Sequence, residues 1–291
     1  MLSVGALLRL SESGRVFRPV HLIRRYLECT AFVLLWMAAE HYLRLRPIAG
    51  QMLGIPLIAA FQIGVARRPW WQVWAFEATA FRVDRRTLGT ALGIVVGCGA
   101  LLWLSSGRAV GGLGQRLSLF RLVAAAAIPA AFALVRQRAD ALRRALPWIV
   151  ATILFRIGWQ AAWHEGAIAI PTGRWVDFFA IGLGEFAGLF LVDEVAFRGA
   201  IDPHLCGAAT GRVHAVCSAI YSSMLWAIWH LPAYNPGAKS FLALFGQIGP
   251  FYLGVVVSGI LLSFCARKAR TLAPTAALHG FANAYVLALL K

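Results

Sequence analysis

The chain has 291 residues, of which 60% are hydrophobic and only 14% are charged. This composition excludes an ordinary soluble globular domain and indicates an integral membrane protein. The net charge of +16 does not indicate nucleic-acid binding, because the arginines form short clusters between apolar stretches instead of one basic stripe.

A basic segment comes first. Residues 1–25 carry five arginines but lack the apolar run and small-residue cleavage site of a signal peptide, so we expect no removable leader. Most of the 28 Lys and Arg lie on one side of the membrane if this segment is cytoplasmic, which predicts a cytoplasmic N-terminus. A composition rich in Ala and Arg and poor in Lys favours a bacterial inner (cytoplasmic) membrane.

Apolar stretches follow, and a helix needs about 20 residues to cross the hydrocarbon core. They lie at 26–43, 47–66, 87–107, 118–135, 147–163, 175–192, 213–238, 240–266 and 271–290. We therefore predict an all-α fold, a polytopic transmembrane helix bundle of about 7 to 9 spans. The Arg-rich turn at 136–144 is the predicted boundary between its halves.

The pattern of cysteines indicates neither a metal site nor a set of disulfide bonds. All five are scattered without a CxxC pair, and the chain contains no HExxH. We expect no cofactor and no metal ion.

Three charged residues interrupt the apolar stretch LVDEVAFRGA at 191–200. Charges at membrane depth are costly, so each is a functional candidate. Glu194 and Arg198 are four residues apart and can form an ion pair on one helix face. Asp193 points about 100° away from Glu194 on an α-helix, which predicts an acid without a partner on its own helix.

Two further apolar stretches carry polar groups. His230 shares a helix face with Trp226, and His279 shares one with Asn283. Taken alone, His230 is also explained as a hydrogen-bonded interfacial residue, and the second pair as polar contacts between helices. Together with the acids they form a set for acid/base catalysis and oxyanion stabilisation, and peptide hydrolysis inside the membrane is a natural use of it.

The three motifs resemble those of the CAAX prenyl endopeptidase and bacteriocin-processing (CPBP, or Abi) family of glutamic-type intramembrane proteases. That pattern is EExxxR, FxxxH and HxxxN on separate helices, in this order. The matches here are Asp193-Glu194-x-x-x-Arg198, Trp226-x-x-x-His230 and His279-x-x-x-Asn283. The resemblance covers roughly residues 175–291 and implies a protease core there, preceded by transmembrane helices of unknown role at 26–174.

The resemblance also implies a role for each matched residue. Asp193 and His230 would activate water, and His279 and Asn283 would stabilise the oxyanion. The remaining matches would brace the site and line its pocket; they are Glu194, Arg198 and Trp226.

Two positions depart from the family pattern. Asp193 stands where the pattern has Glu and reaches about one C–C bond less, while Trp226 replaces Phe and keeps an aromatic wall. Three explanations are compatible with an aspartate at this position. The pocket is tighter, Glu194 has taken over the role of the base, or the protein is a scaffold that has lost proteolysis.

If the three motifs act together, their residues must lie at a similar depth in the membrane. If the sixth span runs over 181–201 instead of 175–192, Asp193 lies at mid-depth. His230 must then lie deep as well, with residues 231–239 re-entering or lining a cavity. We predict a water-filled active-site cavity among the last four helices.

Other membrane-embedded charges receive structural interpretations. Glu185 lies eight residues before Asp193 and could line the cavity mouth, but a capped or Arg-paired role is favoured. Arg156 and Arg121 are expected to pair with such acids or to extend to the interface.

The leading functional hypothesis is an intramembrane endopeptidase. Its partners would be the lipid bilayer and a peptide or protein substrate with a membrane-proximal cleavage site, without nucleic acid. The alternatives are a catalytically inactive scaffold for immunity or partner binding, a proton-coupled transporter, and a zinc metallopeptidase using His230, His279 and a carboxylate.

Overall fold

A computed structural model describes residues 19–43, 47–69, 72–73, 84–105, 113–163, 170, 172–207, 211–230 and 241–289. Over these ranges the chain forms ten α-helices and no strand, which confirms the all-α prediction. We number the helices α1 (Pro19–Tyr42), α2 (Pro47–Ala60), α3 (Arg85–Leu104), α4 (Leu113–Val135), α5 (Ala139–Trp163), α6 (Trp175–Leu189), α7 (Asp202–Cys206), α8 (Arg212–Trp229), α9 (Phe241–Ala269) and α10 (Ala273–Leu289).

Two π-helical segments extend these helices. Phe61–Val65 continues α2, and Phe190–Ile201 joins α6 to α7 without a break in the helical backbone. A short 3₁₀ turn, Thr172–Arg174, precedes α6. The second π segment carries the first motif, so the charges of that motif lie inside a continuous helical rod.

Three of the described helices are long and apolar enough to cross a membrane. The qualifying stretches are Arg85–Leu104, Ala139–Ala162 and Gly249–Ala269, in α3, α5 and α9. They overlap the predicted spans at 87–107, 147–163 and 240–266. The full set of 7 to 9 spans stays a prediction.

The outer surface of these helices is apolar. Trp103 and Leu92 on α3 are 80% and 64% exposed, and Leu154 on α5 is 63% exposed. Large exposed side chains of this kind are unfavourable in water but suited to contact with lipid. The exposed hydrophobic faces therefore agree with the membrane character of the chain.

The helices associate in pairs around the second π segment. α6 packs along α10, α5 along α9, α3 along α4, and α8 along α9. The main core cluster includes fully buried side chains of the π segment, α1, α8 and α9, among them Phe197, Trp36, Trp226 and Leu262. The π segment is thus enclosed by helices from both parts of the chain.

The predicted boundary at 136–144 becomes a short turn. α4 ends at Val135 and α5 begins at Ala139, so Arg143 and Arg144 are already helical. Because α4, before the turn, packs against α6, after it, helices on both sides of the turn share one packed structure. Residues 1–18 of the predicted basic segment lie outside the described residues, and Arg24 and Arg25 belong to α1.

Close backbone approach holds α6 against α10. A Cβ atom at Gly280 would lie 2.5 Å from the backbone nitrogen of Phe186, and one at Gly182 would lie 2.4 Å from the ring of Phe281. Only glycine fits at such distances, since a methyl group would overlap the neighbouring atoms. The crossing fixes the depth of α10 relative to the start of the π segment.

Candidate active site

The π segment presents the first motif to the protein interior. Asp193, Glu194 and Arg198 are 2%, 0% and 1% exposed, so none of the three faces lipid. π-helical turns are rare and occur often at functional sites, and this segment is twelve residues long. Charges buried this deeply require partners, and these come from α8 and α10.

Glu194 joins two motifs. Its Oε1 atom lies 3.2 Å from Nη1 of Arg198 and 3.1 Å from Nδ1 of His279. The first contact is the predicted ion pair on one helix face. The second, to a residue of α10, was not predicted, because sequence spacing within one helix contains no information on its neighbours.

Asp193 contacts the second motif. Its Oδ2 atom accepts a long hydrogen bond of 3.4 Å from the indole nitrogen of Trp226. Its other oxygen, Oδ1, has no hydrogen-bond partner within the described part of the chain. Asp193 therefore has no ion-pair partner on its own helix, as predicted, and keeps one oxygen available for a small molecule such as water.

Trp226 lies at the centre of the cluster. Its ring meets the rings of His230 and His279 edge to face, at centroid distances of 5.2 and 5.1 Å. The guanidinium carbon of Arg198 lies 4.2 Å from the ring centroid, a cation–π contact in an apolar setting. The structure thus brings the π segment, α8 and α10 together around one indole, which is both a wall and a hydrogen-bond donor.

The tautomer of His230 follows from its backbone contact. Nδ1 lies 2.8 Å from the carbonyl oxygen of Trp226. A carbonyl oxygen only accepts, so Nδ1 carries the proton, and Nε2 of the neutral ring is free to accept one. Trp226 and Trp229 hold this ring in place, and no described hydrogen bond links His230 directly to either carboxylate.

His279 has a different hydrogen-bonding state. Its Nδ1 faces the carboxylate of Glu194, so Nδ1 donates. A neutral ring then has no proton left on Nε2, and His279 can donate to an oxyanion only as the doubly protonated imidazolium. Glu194 and Asp193 both lie within electrostatic range and favour that cation, whereas burial of the ring, the largest influence, opposes it.

Asn283 lies near a residue that the sequence analysis placed outside the catalytic set. Its side chain lies beside Glu185 of α6, which also lies within electrostatic range of Asp193. The interpretation of Glu185 as a capped or Arg-paired acid stays a prediction. The sequence feature that could have indicated the proximity of Glu185 to Asp193 is their eight-residue spacing, which brings both acids near the same side of a helix.

Arg156 of α5 also faces the cluster. Its charge lies within electrostatic range of Glu194 and Arg198, and of both motif histidines. Arg121 of α4 is exposed instead. One of the two lone arginines therefore contributes to the electrostatics of the site.

Two predictions about the site concern residues 231–239 and the presence of a cavity. Residues 231–239 lie outside the described residues, and the cavity among the last four helices stays a prediction. Within the described ranges, no group of three or more His, Cys, Asp and Glu side chains is arranged to hold a metal ion.

Residues 175–285 match the family model of the type II CAAX prenyl endopeptidase Rce1-like proteins. Over this region the chain is similar to that family. The Rce1-like region begins at the first residue of α6 and ends inside α10, so it contains all three motifs. No curated protein and no solved structure matches the chain.

The Rce1-like match confirms the family resemblance found in the motifs. The family is one of proteases that act on peptides at membranes, which supports peptide-bond hydrolysis as the activity of this region. The apolar helices α3, α5 and α9 independently support a membrane protein.

Proposed function

We propose that the chain is an intramembrane endopeptidase that hydrolyses a peptide bond near or within the membrane. One observation carries the proposal: two carboxylates, an arginine and two imidazoles converge on Trp226 inside the Rce1-like region. Such a buried cluster stabilises a fold poorly compared with apolar packing, so a chemical role accounts for it better.

In the proposed reaction, a water molecule attacks the carbonyl carbon of the scissile peptide. Oδ1 of Asp193 and Nε2 of His230 each accept a hydrogen bond from this water, and Asp193 takes one proton from it as the water attacks. The carbonyl oxygen becomes an oxyanion, which accepts hydrogen bonds from the His279 imidazolium and the Asn283 amide. When the C–N bond breaks, that proton passes to the leaving nitrogen, and a carboxylic acid and an amine are formed.

Glu194 and Arg198 serve this reaction as positioning residues. Glu194 supplies a negative charge beside His279 that favours its doubly protonated form, and Arg198 compensates Glu194. If Glu194 took over the basic role, the partner of Arg198 would be lost during catalysis, leaving a buried charge poorly compensated. Asp193, which has no ion-pair partner among the described residues, is the better base.

The proposed substrate is a peptide or protein with a membrane-proximal cleavage site. A prenylated CAAX tail is the substrate for which the matched family is named, and a secreted bacterial peptide fits the same chemistry. The proposed location is a bacterial inner membrane with the N-terminus in the cytoplasm, as the distribution of Lys and Arg predicts.

The test uses the purified chain in phospholipid vesicles with two fluorogenic probes. One is a farnesylated peptide ending in a CAAX tetrapeptide, and the other is the same peptide without the prenyl group. We expect Asp193→Ala, His230→Ala and His279→Ala to lower the cleavage rate at least about 100-fold, since each removes an acid/base or oxyanion group. Asp140→Asn, on the exposed start of α5, is the control and should keep the wild-type rate.

Different results identify the alternatives. Cleavage of either probe at the wild-type rate by all three variants would refute the proteolytic function. An inactive scaffold, one of the three interpretations of the shorter acid at position 193, would leave both probes intact even in the wild-type chain. Loss of wild-type cleavage on adding a chelator would indicate the zinc metallopeptidase instead.

A further inference from the structure

A second buried charged cluster lies at the end of the π segment, away from the motif cluster. Asp202, the first residue after that segment, is 0% exposed. Its carboxylate accepts two hydrogen bonds from the guanidinium of Arg267 on α9, one of 2.8 Å from Nε to Oδ2 and one of 2.5 Å from Nη2 to Oδ1. A forked pair of this kind fixes both the distance and the angle between its two groups.

The same guanidinium also binds α8. Nη1 of Arg267 donates to the carbonyl oxygen of Ala215 at 2.6 Å, and Nη2 donates to Oγ of Ser218 at 2.8 Å. The hydroxyl of Ser222, one turn further along α8, lies 3.5 Å from Oδ1 of Asp202. Both serines are buried. One arginine therefore joins α9, α8 and the end of the π segment at a single buried point.

The π segment and α8 thus meet at two levels. At one level Asp193 contacts Trp226, and at the other Asp202 is joined to Ser218 through Arg267. The contacts occur in opposite order along the two elements, so the π segment and α8 run antiparallel. Trp226 lies eight residues after Ser218, which is about 12 Å along α8. Contacts at two levels fix the depth of α8 as well as its distance from the π segment.

Stability alone does not account for the pair of Asp202 and Arg267. Burial removes both charges from water, and apolar side chains of similar size commonly stabilise a fold as well or better. A buried polar network does specify one register, because any other alignment leaves its charges and hydrogen-bonding groups without partners. In this chain that register is the one in which Trp226 reaches Asp193 and the ring of His230 lies against Trp226.

We propose that Asp202 and Arg267 are positioning residues, which hold α8 at the depth that the reaction requires. Their pairing keeps Trp226 against Asp193 and His230 beside the attacking water. This inference rests on the proposed function, because the attacking water belongs to the peptide-hydrolysis reaction. A shift of α8 along its axis would displace the ring of His230, and a displacement of about 1 Å can lower a rate about 100-fold.

Arg267→Lys tests the role with the charge retained. A lysine ammonium can still pair with Asp202, so the buried carboxylate stays compensated and we expect the chain to fold. A single nitrogen cannot reach Asp202, Ala215 and Ser218 with the fixed geometry of the guanidinium. With the two peptide probes, we expect kcat to fall about tenfold and KM to stay unchanged, since the displaced groups act on the water and not on substrate binding. A wild-type kcat in this variant would overturn the inference.

A second measurement reports the depth of α8 directly and does not depend on cleavage. Spin labels are attached at Val176→Cys on α6, which is continuous with the π segment, and at Met224→Cys on α8, two exposed positions. The accessible native cysteines, Cys206 and Cys217, are replaced by serine. We expect Arg267→Lys to change the mean distance between the labels by about 1–2 Å, the size of a helix shift. An unchanged distance would overturn the inference.

Glu28→Gln is the matched control. Glu28 of α1 lies 2.9 Å from the ring of His204 on α7, two residues after Asp202, and within the described part of the chain its side chain makes no hydrogen bond to α8 or α9. We expect its kcat and its label distance to equal those of the wild type. An equal fall of kcat in Glu28→Gln and Arg267→Lys would show that any altered contact at α7 lowers activity, and it would overturn the positioning role.

The two measurements separate this inference from the proposed function. If the chain with native Arg267 cleaves neither probe, while Arg267→Lys still changes the label distance, the proposed function is overturned and the anchoring of α8 stands. If the native chain cleaves the probes and Arg267→Lys changes neither kcat nor the label distance, the proposed function stands and the positioning role is overturned.

Discussion

Asp193 and Trp226, the two residues that depart from the family pattern, touch each other. The indole nitrogen of Trp226 donates to Asp193, a bond that the phenylalanine of the pattern cannot make. The shorter acid leaves room, and the larger aromatic side chain with its donor occupies it. This contact favours a tighter pocket over a lost activity as the meaning of Asp193.

The contact predicts that the two positions depend on each other. Asp193→Glu alone adds a methylene group to a site that is 2% exposed, and overpacking there should lower kcat/KM for the peptide probes about tenfold or more. Adding Trp226→Phe makes room and should recover most of that loss. Steady-state kinetics on the two single variants and the double variant measure the coupling; a double variant as poor as the product of the singles would contradict it.

At the scale of the helices, the α6–α10 crossing determines which residues meet. Sequence periodicity assigns His279 and Asn283 to one face of α10, but it contains no information on which helix that face meets. The glycines at 182 and 280 permit the close approach that places α10 against α6 and the start of the π segment. Through this crossing, His279 reaches Glu194 and Asn283 lies beside Glu185.

Gly280→Ala therefore should separate the two helices. Its new methyl group would lie 2.5 Å from a backbone atom, so relief requires movement of a helix and should cost about 1–3 kcal/mol of stability, together with activity. Gly158→Ala on α5 is the control, since no atom lies within 4 Å of its Cβ position. There the helix propensity of alanine should raise stability by up to about 1 kcal/mol. Thermal unfolding and probe cleavage of both variants decide the question; equal effects would show that the crossing is not tight.

For the whole molecule, helices before the Rce1-like region complete the core around the site. Trp36 of α1 packs on Trp229 at a centroid distance of 5.1 Å, directly beside His230. Arg156 of α5 reaches the motif cluster, and α5 packs along α9. The family match begins at residue 175, but helices that precede this residue also pack around the site.

We accordingly expect residues 175–291 expressed alone to fail to reach an active fold. The fragment would expose core surface that α1 and α5 normally cover, and the buried charges of the π segment would lose shielding. Coexpression with residues 1–174 should restore probe cleavage, because helices formed separately can still pack in the membrane. Full activity of the isolated fragment would show that the preceding helices have no part in the site.

The sequence alone determined the helical class, the membrane character, the three motifs and the Glu194–Arg198 pair. These follow from composition and from spacing within one helix, which are local properties of the chain. Only the tertiary structure decided that Asp193 meets Trp226, that His279 meets Glu194, and that Asn283 lies beside Glu185. Such contacts depend on the depth and rotation of one helix relative to another, and these are fixed by close approach at positions such as Gly182 and Gly280.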